Sequence, residues 1–123
     1  MYKEKESLIN DWYEDISNCI FIPLKNNENR ELIIGISEDI IDISYIYCIN
    51  KSWDISVEYR INGSKKINLM REYIKNETLY DVLLDSLRYE ILYTILKTAN
   101  KRNLELEDDY ENFITKELNK ILN

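Results

Sequence analysis

Five carboxylates crowd into seven consecutive positions between Glu105 and Glu111, in the stretch ELEDDYENF. Side chains of this kind at this density can start a helix, hold a hard cation or face a basic partner. Asp108, followed three residues later by Glu111, forms a capping box, and Asp109 falls in the first turn, where the helix dipole favours negative charge. Glu105 and Glu107 precede that cap, alternate with Leu104 and Leu106, and gain nothing from starting a helix. A dedicated calcium loop wants alternating oxygen ligands around a glycine-assisted turn, and the run has no glycine. The run therefore reads either as a helix start or as a contact for positive charge. Glu105, Glu107, Asp108, Asp109 and Glu111 are the candidate contact residues. Glu38, Asp39 and Asp42 make a second, smaller acidic group at an expected hairpin and join them as candidates.

Other chemistry finds little support. The chain has no histidine, which removes the usual neutral-pH general base and the commonest zinc ligand. Cys19 and Cys48 stand far apart, without a C-x-x-C spacing or an imidazole to activate a thiolate, and read as reduced, half-buried core residues. Two glycines in the whole chain cannot build a phosphate-cradling loop. Asp81 and Asp85 share a helix face with Arg88 and read as a solvated stripe. Neither catalysis nor a cofactor nor a metal is expected.

The net charge of -7 and pI near 4.7 disfavour direct contact with nucleic acid or an acidic membrane, since both repel such a surface. A basic protein is the complementary partner. A charge of this size also serves simply to keep a small domain soluble. The opening MYKEKESLINDW has no apolar signal core, and no stretch approaches a membrane span, so the expected location is the cytoplasm.

The elements that must position these residues follow from periodicity. With 123 residues, 45% hydrophobic and 32% charged, the expectation is one globular domain over 1–123. Leu8, Ile9, Trp12, Tyr13, Ile16, Cys19 and Ile20 recur at helical spacing and predict an amphipathic helix over 3–19. Pro23 and the polar run 25–29 predict a loop. From Arg30 the period becomes two: Leu32–Ile36, Ile41–Ile49, Trp53–Ile61 and Ile67–Leu69 predict a four-stranded antiparallel meander. Loops at 37–40, 50–52 and 62–64 stack Ile34, Ile43, Tyr59 and Ile67 in one row and Leu32, Tyr45, Val57 and Leu69 in the next, with Trp53 beside Ile49. The opposite face then pairs Asp42 with Arg60, next to Lys66, and carries a stripe of Ile33, Ile46, Cys48, Ser56 and Met70. That stripe is either covered by the N-terminal helix or the Cys19–Leu24 segment, or, with an edge strand, open to a homodimer or adaptor contact. Thr78 and Asp81 cap a long helix to about Asn100, packed on the sheet, and residues 108–122 form a last amphipathic helix. The fold class is α+β: helix, four-stranded antiparallel sheet, two helices.

An acidic, histidine-free, compact α+β chain with ten tyrosines, ELEDDYE and SEDIID resembles the immunity proteins that protect bacteria from nuclease and other toxins of contact-dependent and polymorphic toxin systems. The resemblance is one of composition and design and carries no site residue across. It implies a cytoplasmic, non-catalytic protein that binds one cognate toxin and covers a basic surface or active site. An inhibitor of a defence nuclease that mimics DNA would use the same physics. An oligomeric adaptor is the alternative from a different class.

Overall fold

The computed structural model describes residues 2–26, 28–37, 40–62 and 85–122. A helix, α1 (Lys5–Tyr13), leads through a short 3-10 turn (Ile16–Asn18) into four strands, β1 (Cys19–Phe21), β2 (Arg30–Ser37), β3 (Ile40–Ile49) and β4 (Ser52–Ile61). Among the described residues two helices follow, α2 (Asp85–Lys101) and α3 (Asp108–Leu122). The strands form one antiparallel sheet in the order β1-β2-β3-β4. This is the α+β arrangement expected, with β1 as an additional strand. The strand expected at Ile67–Leu69, the cap at Thr78 and Asp81, and Lys66 and Met70 lie outside the described residues; among the described strands β1 and β4 are the outer two.

β1 falls where the helical pattern was extended too far. Glu14 takes a left-handed backbone (φ 66°) and ends α1, and Asp15 accepts a bond from the Ser17 amide at 3.0 Å to cap the 3-10 turn. Ile16, Cys19 and Ile20 fit a 3.6-residue period, but Cys-Ile-Phe-Ile before Pro23 also fits a short edge strand, and pairing with β2 decides it.

The sheet separates two cores. On one face Leu32, Ile34, Ile36, Ile41, Ile43 and Tyr45 pack under Ile91, Leu92 and Ile95 of α2 and Tyr110, Ile114 and Leu118 of α3. On the other, Leu8, Ile9 and Tyr13 of α1 cover Ile33 and Ile46, flanked by Trp53 and Ile55. Ile9, Ile33 and Ile46 are fully enclosed, and each buried aliphatic side chain of this size contributes about 1.5–3 kcal/mol. Trp12, placed in the apolar stripe by spacing, is instead 42% exposed at the end of α1.

The β2–β3 register is the expected one, with Ile34 opposite Ile43 and Leu32 opposite Tyr45. β3–β4 differs in an instructive way. Asn50 and Lys51 both have positive φ (52° and 67°) and join Ile49 to Ser52 by a two-residue hairpin turn, not the three-residue loop expected. The shorter turn moves β4 by one residue, so Trp53 pairs with Cys48 and Ile55 with Ile46. An irregularity opposite Ile43/Ser44, with Glu58 as the extra residue, restores the expected pairs Ile43–Tyr59 and Asp42–Arg60. Because side chains alternate, one residue of shift turns Trp53 and Ile55 toward α1, while Tyr59 and Ile61 remain on the α2 side.

Candidate functional site

The acidic run is built by three backbone devices. At the end of α2, Asn103 is left-handed (φ 54°), the Leu104 amide donates to the Ala99 carbonyl at 2.8 Å, and the Asn103 amide to Asn100 at 3.3 Å. This Schellman turn drives Leu104 back against the core. Arg30, at the head of β2, donates to the carbonyls of Arg102 (3.0 Å) and Asn103 (3.4 Å) and clamps the turn to the sheet. Next, Leu106 bridges Leu24, as the Lys25 amide donates to the Glu105 carbonyl (2.8 Å) and the Glu107 amide to the Pro23 carbonyl (3.0 Å). Finally the Glu107 carbonyl accepts from the Glu111 amide at 2.9 Å, which makes Glu107 the residue capping α3, one position ahead of expectation.

Glu105 and Glu107 therefore do have structural work, contrary to their sequence reading, but it belongs to their backbones. Leu104 and Leu106 are 7% and 4% exposed, and the alternation turns the intervening carboxylates outward. Glu105, Glu107, Asp108, Asp109 and Glu111 are all exposed. Lys25 reaches Asp108 at 2.8 Å, and that hydrogen bond, helped by the charges of Glu105 and Glu111, raises the lysine's pKa above its ordinary value. Like charges this close repel each other by an amount that salt reduces without removing.

Asp42, of the second acidic group, does not join the run. Asp42 is 2% exposed and faces α1, on the side of the sheet away from α2 and α3. Arg60 grips it through Nε (2.6 Å) and Nη2 (2.9 Å), and the Tyr13 hydroxyl lies 3.2 Å from Oδ2 and 2.7 Å from Ser44 Oγ. Burial pushes the Tyr13 hydroxyl pKa far up. The expectation that Asp42 meets a partner is thus corrected: a buried carboxylate needs its charge and lone pairs satisfied from within, and here they are. Glu38 and Asp39 lie outside the described residues. Of the stripe expected on this face, Ile33 and Ile46 are sealed by α1, Cys48 is half-buried, and Ser56 faces the other way, near Arg102.

A further cleft, of about 630 Å³, lies between β4 and α2. Tyr89 and Tyr93 stack there in parallel, 5.8 Å apart and 37% and 49% exposed, and the Tyr59 hydroxyl bonds Glu90. Elsewhere Tyr2 is exposed and Tyr110 is buried, and Tyr73 is outside the described residues. The i, i+4 spacing of Tyr89 and Tyr93 is what brings their rings together. At the cleft's end Glu58 is nearly buried. Burial alone would raise its carboxyl pKa, but hydrogen bonds from Lys101 (3.1 Å) and Arg102 (2.6 Å) outweigh that and hold it below the ordinary carboxylate value. Burial, with Asp15 nearby, pushes the Cys19 thiol up to about 12, opposite to what a nucleophile needs.

Among the described residues no three His, Cys, Asp or Glu side chains converge as a metal site, and no helix is long and apolar enough to cross a membrane. Comparison of the chain with protein-family models, curated proteins and solved structures returned no match.

Proposed function

We propose that this protein is a non-catalytic binding protein that uses the ridge from Glu105 to Glu111 to engage a basic protein partner, in the manner of an immunity protein neutralising a toxin. The observation that supports the reading is the pairing of exposed carboxylates with a firmly held backbone. All five acids point outward from a segment fastened by the Schellman turn, the Leu24–Leu106 bridge and the start of α3. A fixed array of like charge steers an oppositely charged surface and loses less entropy on docking than a mobile acidic tail.

The test begins with the partner recovered on the immobilised protein from the cells it is native to, then purified. Its association rate with the protein should fall steeply with salt, and the triple reversal Glu105→Lys, Glu107→Lys, Asp109→Lys should slow it by at least about tenfold. A partner that binds the triple variant at the wild-type rate sinks the reading. An oligomeric adaptor would instead show mass that grows with concentration in ultracentrifugation.

A further inference from the structure

We draw no further inference here: the strongest candidate, the cleft between β4 and α2 walled by the stacked rings of Tyr89 and Tyr93, has its carboxylates already taken, Glu58 by Lys101 and Arg102 and Glu90 by the Tyr59 hydroxyl, and nothing in the structure shows what covers its aromatic face.

Discussion

Asp42 and Glu107 carry the same charge, and each follows an apolar residue, Ile41 or Leu106, yet they have opposite fates. Asp42 is enclosed beneath α1 and held by Arg60, with Tyr13 and Ser44 completing the cluster. Glu107 is exposed, and its backbone is engaged by Pro23 and Glu111. The difference lies in what the opposite side of the element meets. A two-sided sheet buries both of its faces here, so a polar residue in a strand must be satisfied internally. The one-sided ribbon at Leu104–Glu107 buries its leucines and leaves its acids to solvent. A carboxylate is thus enclosed and paired in one region and left to solvent in the other.

The sharpest way to break the buried side of this contrast is Gly35→Ala. A Cβ at Gly35 would stand 2.4 Å from Cζ of Tyr13, so the ring must leave its notch and the hydroxyl must leave Ser44 and Asp42. A loss of about 3 kcal/mol, or roughly 10 °C in melting temperature, is expected by calorimetry. A variant melting within about 2 °C of wild type would show that Tyr13 does not need the notch.

Arg60→Ala comes next. It leaves Asp42 buried with hydroxyl partners and without the Arg60 countercharge, at a cost of about 2 kcal/mol in urea unfolding. The figure is below that of a fully enclosed pair because the Arg60 side chain is 42% exposed.

Glu58 is an intermediate case, buried by the strand irregularity yet paired with two cations near the surface. Its folded carboxyl pKa is lowered, so the stabilisation it supplies is complete above the unfolded-state value near 4.5 and is lost as pH falls through the folded value. The melting temperature of wild type should therefore exceed that of Glu58→Gln at pH 7, and the gap should close on acidification toward about pH 3. A gap that widens in acid would reverse the assignment.

The smallest effect belongs to the ridge. Glu105→Gln combined with Glu107→Gln should change unfolding free energy by less than about 0.5 kcal/mol, because the backbone bonds that fasten the segment do not involve the carboxylates. A larger loss would mean that these acids are structural after all, and would erase the contrast with Asp42.

Much of this was legible in the sequence. Period-two patterning gave β2, β3 and β4, and complementary charge paired Asp42 with Arg60 before any coordinates, since alternation ties register to face. The stripe of Tyr110, Ile114 and Leu118 located α3. The candidate site was legible as composition only. That Glu105 and Glu107 are exposed follows from their alternation with leucines, but that they sit on a clamped ridge does not, because Arg30 and Pro23–Lys25 reach it from more than seventy residues away in the chain.

The sequence by itself determined the α+β class, most strand positions, the acidic surface and the absence of histidine chemistry, because these depend on residue identity and short-range periodicity. Only the tertiary structure decided which acids are buried and which are free. It also decided that Cys19–Phe21 is a strand, and that Trp53 and Ile55 turn toward α1. Each of these depends on a partner distant in sequence or on a single residue of register. A two-residue turn at Asn50–Lys51 and the extra residue Glu58 move side chains from one face of the sheet to the other without altering the local hydrophobic pattern.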